Sequence, residues 1–257
     1  MEMIGIDVGG SGIKAAIVET TTGELVTPRI RVETPQPATP KAVAKVTAQV
    51  VAELPPGLAA GVGFPAVILG GVAKTAANVD PSWIGTQVDT LFAETLGRRL
   101  TVGNDADAAG LAEMRFGAGR GEAGTVLMLT LGTGIGSALF RDGALVPNTE
   151  LGHLQIRGKD AERRAAASIK ERKGLSWLEW SKLLSEYLEE IDALLWPDLV
   201  IIGGGISKDA DRFINDLPRR VRCVPATLLN RAGIVGAAML AAEAAQLTAP
   251  HASAGVA

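Results

Sequence analysis

Two glycine-rich turns, each joining two apolar runs of strand length, constrain the fold of this chain most strongly. The first turn is Asp7-Val8-Gly9-Gly10-Ser11-Gly12, and the second is Gly132-Thr133-Gly134-Ile135-Gly136. This pattern predicts a β-hairpin at each turn. The hairpins lie roughly half a chain apart, so we expect two similar half-domains that face each other across a cleft. The flanking runs are residues 3–6 and 13–18 around the first turn, and residues 125–131 and 137–140 around the second.

The first turn has the composition of an anion-binding loop. Gly9, Gly10 and Gly12 lack a Cβ atom, so neighbouring backbone N–H groups can converge closely on a phosphate. Asp7, at the end of the first strand, is placed to hold a divalent cation through water, and Lys14 supplies a positive charge. The alternative is a Gly-rich hairpin with a purely structural role. A single such turn does not decide between the two interpretations.

Composition bounds the class of protein. A chain of 257 residues is long enough for one large domain or two small ones. With 47% hydrophobic and 21% charged residues, its composition is that of an ordinary globular protein. The net charge of −3 argues against general affinity for nucleic acid. Cys223 is the only cysteine, which excludes an intramolecular disulfide and a multi-cysteine metal site. We see neither a charged and apolar leader nor an apolar stretch typical of a membrane span, so we expect a soluble, cytoplasmic protein.

Strands alternate with helices along the chain, which predicts an α/β protein with mixed sheets. We expect a third strand at residues 25–32, a Pro-rich loop at 33–40 and an irregular loop at 66–84. The expected domains are residues 1–103 together with the end helix at about 234–246, then residues 104–233, and finally a disordered tail at 247–257. The expected helices cover residues 41–53, 87–98, 108–116, 177–195 and 232–246, and the last strand covers 220–224.

Asn104 and Asp105 lie between a predicted strand and a predicted helix. The carboxyl end of a strand in an open α/β sheet is where ligands usually bind. Asn and Asp also cap helices well, and this structural role is compatible with a catalytic one. Asp107, in the next turn, is expected to complement the helix dipole.

Residues 157–173 are strongly basic, with seven Lys and Arg residues against three acids. Such a run is often a solvated helix face. The alternative is a track for a polyanion, in which several cations bind one chain of phosphates and the affinity falls steeply with salt. The four residues that we assign to this track are Arg163, Arg164, Lys170 and Lys173.

Five motifs occur in the order seen in sugar kinases of the actin-like ATPase superfamily, and more narrowly they resemble the ROK (repressor, open reading frame, kinase) family. The resemblance covers residues 3 to about 246 and implies two ribonuclease H-like half-domains around a central cleft. It also implies Mg²⁺ as a cofactor, closure of the domains on the sugar, and a homodimer. The motifs are Asp7-Val8-Gly9-Gly10-Ser11-Gly12-Ile13-Lys14, Asn104-Asp105, Leu131-Gly132-Thr133-Gly134-Ile135-Gly136, Glu150-Leu151-Gly152-His153 and Gly203-Gly204-Gly205-Ile206-Ser207.

One departure from the family pattern is informative. ROK kinases typically carry a Cys-rich zinc loop after the Glu-x-Gly-His segment, whereas Cys223 lies far from His153. We therefore expect no zinc. A chain of this length without the loop is similar to the polyphosphate glucokinase group, which phosphorylates glucose from inorganic polyphosphate and in some members from ATP. Segments similar to that group are Thr34-Pro35, Ala76-Ala77-Asn78, Ser82-Trp83 and Lys173-Gly174-Leu175-Ser176-Trp177.

The resemblance also implies a role for individual residues. Asp105 is expected to be the base that accepts the proton of the sugar 6-hydroxyl, and Asp7 is expected to hold Mg²⁺ through water. The expected sugar ligands are Asn104, Asp105, Glu150, His153 and Asn78. The expected ligands of the donor phosphates or nucleotide are Asp7, Gly9, Gly10, Ser11, Gly12, Lys14, Gly132, Thr133, Gly134, Gly203, Gly204 and Gly205.

Three other functions stay open at this point. The chain can be a strictly ATP-dependent kinase for mannose or another hexose. It can be a sugar-binding protein without activity, although such a protein has no need for Asp7, Asp105 and both glycine turns together. The family also includes sugar-sensing repressors, which need an N-terminal DNA-binding module. Here the first hairpin starts at Met3, so we do not expect that function.

Overall fold

The computed structural model describes residues 1–77 and 79–248. Asn78 lies outside the described residues, and so does most of the predicted tail, residues 249–257. None of the helices in the described part of the chain is long and apolar enough to cross a membrane.

The strands and helices of the described residues alternate as the sequence predicts. The strands are β1 (Glu2–Val8), β2 (Ile13–Glu19), β3 (Glu24–Leu25), β4 (Ile30–Val32), β5 (Ala60–Phe64), β6 (Ile68–Leu69), β7 (Val72–Ala73), β8 (Leu100–Asn104), β9 (Thr125–Leu131), β10 (Ile135–Arg141), β11 (Ala144–Val146), β12 (Gln155–Ile156), β13 (Lys159–Asp160), β14 (Leu199–Gly203) and β15 (Cys223–Pro225). The helices are α1 (Pro40–Ala52), α2 (Val88–Leu96), α3 (Asp105–Phe116), α4 (Glu162–Ala165), α5 (Ala167–Lys173), α6 (Trp177–Leu195) and α7 (Ala232–Thr248).

Two mixed sheets repeat one topology. In the first sheet the order is β3-β2-β1-β5-β8, and β4 also pairs with β2. In the second sheet the order is β11-β10-β9-β14-β15. Each sheet combines an antiparallel hairpin, β1–β2 or β9–β10, with two parallel strands that extend from its first strand. The two hairpins that the glycine turns predict are thus equivalent elements of two similar sheets.

Helices α3 and α7 lie between the two sheets. α7 packs against β1, β5 and β8, α3 packs against β9 and β10, and the two helices pack against each other. One buried apolar cluster accordingly joins residues of both sheets and both helices, with Met3, Ala112, Phe140, Ile201 and Ile234 among its members. α7 contacts both the first sheet and α3 closely. The predicted domain boundary at residues 103/104 stays a prediction.

The bounds of several expected elements differ from the structure. The strand expected at residues 25–32 is two short strands, β3 and β4, because Pro28 has no N–H and Thr27 uses its hydroxyl to accept from Ile17 N at 3.0 Å. The last strand begins at Cys223 instead of residue 220. α7 continues to Thr248, so residues 247 and 248 of the expected disordered tail are helical.

The described residues of the irregular segment, 66–77 and 79–84, are more ordered than their composition indicates. β6 and β7 form a small hairpin, and Asp80 caps a 3₁₀ turn, Pro81–Trp83. The indole of Trp83 is fully buried against Phe64, with ring centroids 4.3 Å apart, and donates to Ala38 O at 2.8 Å. The buried indole of Trp83 therefore holds the end of this segment beside the end of β5.

Candidate active site

A cleft of about 270 Å³ between the two sheets collects most of the predicted site residues. Both glycine turns border it, and so do the ends of β5, β8 and β14. Ser11, Gly12 and Gly203 are not part of its lining, and neither are the four basic residues assigned to the polyanion track. The predicted residues that line it are Asp7, Gly9, Gly10, Lys14, Asn104, Asp105, Gly132, Thr133, Gly134, Glu150, His153, Gly204 and Gly205.

The first turn is closed by its own backbone. Gly9 N donates to Gly12 O at 3.0 Å, and the hydroxyl of Thr34 donates to Gly9 O at 2.5 Å. Asp7 and Lys14 lie opposite each other in the β1–β2 ladder, and Lys14 Nζ donates to Asp7 Oδ2 at 2.7 Å. The positive charge of Lys14 is therefore held beside Asp7, at the edge of the cleft.

Asp7 fits the chemistry of a Mg²⁺ site. Its carboxylate lines the cleft together with residues of both glycine turns, and Gly233 of α7 leaves room for it, because a Cβ there would contact the carboxyl group. Mg²⁺ prefers oxygen ligands and in kinases is usually held by one or two carboxylates together with substrate phosphates. The carboxylate of Asp7, which lines the cleft, is an oxygen donor that suits that ion.

The second turn is held from outside the cleft. Gly132 N donates to Gly134 O at 3.0 Å, while Ser168 of α5 donates from its backbone to Gly132 O and from its hydroxyl to Thr133 O. Gly204 follows β14 with φ +81°, and a Cβ there would overlap the backbone of Leu131. Only glycine allows this close approach, which places Gly204 and Gly205 beside the second turn.

Asn104 caps α3 as its residue type predicts. Its Oδ1 accepts from Ala106 N at 2.8 Å and Asp107 N at 3.0 Å, and its Nδ2 donates to Ala66 O at 3.2 Å. The helix therefore begins at Asp105, three residues before the expected start. This cap fixes the direction of the Asp105 side chain at the floor of the cleft.

The environment of Asp105 disfavours its charge. Burial in the cleft, together with the negative charges of Asp7 and Glu150, raises the pKa of Asp105 to about 7. Desolvation is the largest cause, and like charges add to it. A carboxylate whose pKa lies near neutral pH is well matched to accept a proton in a transition state.

Asp107 is in the first turn of α3, as expected for an acid that complements the helix dipole, but it is also buried and bonded. It accepts from Asn148 N at 2.7 Å, and its Oδ1 has no hydrogen-bond partner among the described residues. Burial raises the pKa of Asp107 to about 6.

The side-chain amide of Asn148, whose backbone bonds Asp107, bonds both backbone groups of Ile68, at 2.9 and 3.2 Å. This bridge ties the β6–β7 hairpin to α3, and no signal in the sequence indicated it.

Glu150 and His153 lie side by side in another wall of the cleft. His153 Nε2 lies 3.6 Å from Glu150 Oε2, and His153 Nδ1 lies 3.3 Å from Asp160 Oδ2. Burial is the largest cause that raises the pKa of Glu150. Glu162 also lines this wall and accepts from Ile135 N at 3.4 Å. Sequence analysis missed Glu162 because it lies within a run of basic residues.

The basic residues of the run 157–173 make different contacts in the structure: some pair with acids, and Lys170 packs on an aromatic ring. Arg164 and Arg157 both form ion pairs with Glu186 of α6, and Arg163 lies 3.7 Å from Asp160. Lys170 lies over the ring of Trp177, 4.1 Å from its centroid. Lys170 also borders a side cavity of about 340 Å³, which shares Gly132, Thr133 and Gly205 with the cleft.

Known proteins similar to this chain share one family. A model of the ROK family matches residues 3–168. The polyphosphate glucokinase of Mycobacterium tuberculosis (strain CDC 1551 / Oshkosh) is 55% identical over 236 residues, 91% of this chain and 89% of that protein. The inorganic polyphosphate/ATP-glucomannokinase from Arthrobacter sp. strain KM matches with a TM-score of 0.91 and 55% identity, covering 95% of this chain and 99% of that one.

A more distant structure shares the fold. The ROK family glucokinase from Streptomyces griseus, solved with glucose and AMPPNP, has a TM-score of 0.82 at 23% identity and covers 95% of this chain and 100% of that one. The predicted fold class, α/β with two actin-like ATPase half-domains around a cleft, is confirmed. The family model spans the first four of the five predicted motifs. This chain belongs to the ROK family.

Proposed function

We propose that this chain is a glucokinase that phosphorylates the 6-hydroxyl of glucose from inorganic polyphosphate, with ATP as a second donor. The observation that carries the proposal is the placement of Asp105 between two glycine turns, in a chain 55% identical to a polyphosphate glucokinase over 91% of its length. Phosphoryl transfer requires mainly positioning and neutralisation of charge, and the cleft offers groups suited to both.

The proposed reaction uses the residues of the cleft in distinct roles. The oxygen of the sugar hydroxyl attacks the terminal phosphorus of the donor, the bridging P–O bond of the anhydride breaks, and Asp105 accepts the hydroxyl proton. Backbone N–H groups of the two glycine turns orient the donor phosphates, and Lys14 adds positive charge. Asp7 would hold Mg²⁺, which when bound neutralises charge on the phosphates.

The sugar is proposed to lie between the end of β8 and the wall formed by Glu150 and His153. Asn104 keeps one amide hydrogen for a hydroxyl, since its other contacts cap α3 and reach Ala66. Asn78 remains a proposed sugar ligand from the sequence alone.

A direct assay tests the proposal. Purified protein with glucose and Mg²⁺ is expected to form glucose 6-phosphate with polyphosphate as the only donor, and also with ATP as the only donor. The control acceptor is 6-deoxyglucose, which lacks the reacting hydroxyl and should give no product. Activity with ATP alone would support the alternative of a strictly ATP-dependent hexose kinase, and no activity with either donor would contradict both.

The ion pairs of the basic run revise which residues we propose for the polyphosphate track. Arg163 and Arg164 are engaged by Asp160 and Glu186, so we assign the track to Lys170 and Lys173. Lys170→Gln combined with Lys173→Gln is expected to raise KM for polyphosphate about tenfold, with KM for glucose unchanged, because released counterions dominate such binding. The readout is KM for polyphosphate at several salt concentrations, where the variant should also show a shallower salt dependence.

Lys182→Gln serves as the matched control for this prediction, because it removes an exposed lysine of α6 away from the second turn. An unchanged KM for polyphosphate in the double variant would overturn the assignment.

We further propose that the protein acts in the cytoplasm and as a homodimer, and sedimentation of the purified chain tests the second point.

A further inference from the structure

His153 is held from both sides by carboxylates. Its Nδ1 is at hydrogen-bond distance from Asp160, 3.3 Å, whereas its Nε2 is 3.6 Å from Glu150, beyond an ordinary hydrogen bond. The side chain is 40% exposed and borders the cleft, so packing alone does not fix the ring. The bond to Nδ1 is therefore the contact that sets the orientation of the imidazole.

A dedicated hairpin brings Asp160 to this position. β12 and β13 pair so that Gln155 lies opposite Asp160, and the connecting residues Arg157 and Gly158 both have positive φ, +51° and +73°. Two positive φ values in a two-residue loop are typical of a tight type I′ turn. Ile156 anchors the hairpin in the core, and Arg157 forms an ion pair with Glu186 of α6.

The carboxylate of Asp160 is itself fixed. Its Oδ1 accepts from the amide of Gln155, and Arg163 Nε lies 3.7 Å from its Oδ2. Hydrogen bonds from Gln155 and His153 and the nearby charge of Arg163 hold the pKa of Asp160 below its usual value. Asp160 is consequently ionised at neutral pH and acts only as a hydrogen-bond acceptor.

An acceptor at Nδ1 determines what His153 offers to the cleft. Because the contact at Nδ1 is the shorter of the two, the tautomer with the proton on Nδ1 is favoured, and this tautomer has its lone pair on Nε2. Nε2 and Glu150 Oε2 then form two adjacent acceptors, 3.6 Å apart, directed at the same part of the cleft. Two neighbouring hydroxyl groups of a hexose are the complementary pair of donors.

We propose that Asp160 is a positioning residue that locks His153 in the Nδ1–H tautomer, so that His153 and Glu150 together accept hydrogen bonds from two neighbouring sugar hydroxyls. The proposal rests on the proposed sugar kinase function. Asp160 acts through His153 and does not touch the sugar.

A bound cation is the competing explanation for the closeness of Asp160 to His153. Ligand atoms of His153, Asp160 and Glu162 lie within 4.8 Å of one another, which a divalent metal ion could exploit. Oδ1 of Asp160 already accepts from Gln155, and Oδ2 lies within hydrogen-bond distance of His153 Nδ1, so both oxygens have partners without a metal ion. These contacts favour the hydrogen-bond explanation over a metal site.

Tautomer detection by NMR tests the proposal independently of activity. The chain has two histidines, so His251→Ala leaves one ring whose ¹⁵N signals report His153 alone. At pH 8 we expect the Nδ1–H tautomer in this background and the Nε2–H form after Asp160→Ala. An unchanged tautomer in the Asp160 variant would refute the proposal, even if the protein proved not to phosphorylate glucose.

Kinetics supply the second test. Asp160→Ala is expected to raise KM for glucose about tenfold, as loss of a partner behind a ligating His typically does, with kcat within about threefold of the parent. In an His153→Ala background the same change should have no further effect on KM, because Asp160 acts through the missing ring. The KM for glucose of Asp160→Asn should lie between those of the parent and of Asp160→Ala, since an amide oxygen can still accept from Nδ1–H.

Controls separate the remaining explanations. Asp142→Asn removes a different carboxylate that also pairs with an Arg, and it should change neither the KM for glucose nor the His153 signals. Calorimetric titration with zinc chloride should show no stoichiometric binding. Additive effects in the double variant, or one equivalent of Zn²⁺ bound by the parent and lost in Asp160→Ala, would overturn the proposal.

Discussion

Replacing Asp105 with asparagine is expected to lower kcat for glucose phosphorylation by about 10²- to 10⁴-fold, the usual contribution of a positioned general base. The amide keeps the size and the hydrogen-bonding edge of the side chain but cannot accept the hydroxyl proton. Asn104 would still cap α3, because its bonds run to backbone N–H groups. Glucose affinity should therefore stay within about threefold of the parent value, as measured by the change in tryptophan fluorescence or by calorimetry.

Asp89→Asn is the matched control for this variant. Asp89 is also an acid in the first turn of a helix, α2, and lies outside the cleft. Its replacement should leave kcat unchanged. Full turnover in the Asp105 variant would contradict the assignment of the base, and loss of glucose binding would indicate a structural role instead.

The pH dependence of kcat/KM follows from the same residue. A base must be ionised to act, and the pKa of Asp105 is raised to about 7, so kcat/KM should increase with pH through about 7 and level off above it. The negative charge of Glu150 is one cause of the raised pKa. Glu150→Gln should thus move the ascending limb to lower pH, whatever it does to the absolute rate. A flat profile between pH 6 and 8.5 would contradict this.

Elements specified by local chemistry were predictable from the sequence. The capping box of Ser176 and Glu179 marks the start of α6, and the helix runs from Trp177 to Leu195 as expected. The two glycine turns connect antiparallel hairpins in both sheets, also as expected. In each case a few neighbouring residues determine the conformation, so the pattern carries the information.

Features that depend on distant partners were not predictable. Arg164 is a track residue in the sequence but pairs in the structure with Glu186, which is 22 positions away and on another helix. Asn148 bonds Ile68 across 80 positions, and its backbone N–H donates to the buried Asp107, 41 positions away. Glu162 lines the cleft, and Asp160 contacts His153, only once α4 and the β12–β13 hairpin have packed. Sequence spacing does not encode such contacts.

The close packing of α7 leads to the second large expected effect. Gly236 lies where α7 crosses α3, and a Cβ at this position would overlap the carbonyl oxygen of Ala108. Helix propensity alone predicts that Gly236→Ala stabilises the protein by about 1 kcal/mol. The overlap involves backbone atoms of a helix capped at Asn104, so it cannot be relieved by turning a side chain.

We therefore expect Gly236→Ala to lower the free energy of unfolding by about 3 kcal/mol or more, the upper range for overpacking in a core, because steric overlap outweighs propensity. Gly97→Ala is the matched control: Gly97 ends α2 with φ +61° and has open space around it, so only left-handed strain of about 1–2 kcal/mol applies. Urea unfolding followed by circular dichroism measures both. A Gly236 variant as stable as the parent would show that α3 and α7 can separate. The shift that separates them would also move Asp105, so kcat should fall in any variant that folds.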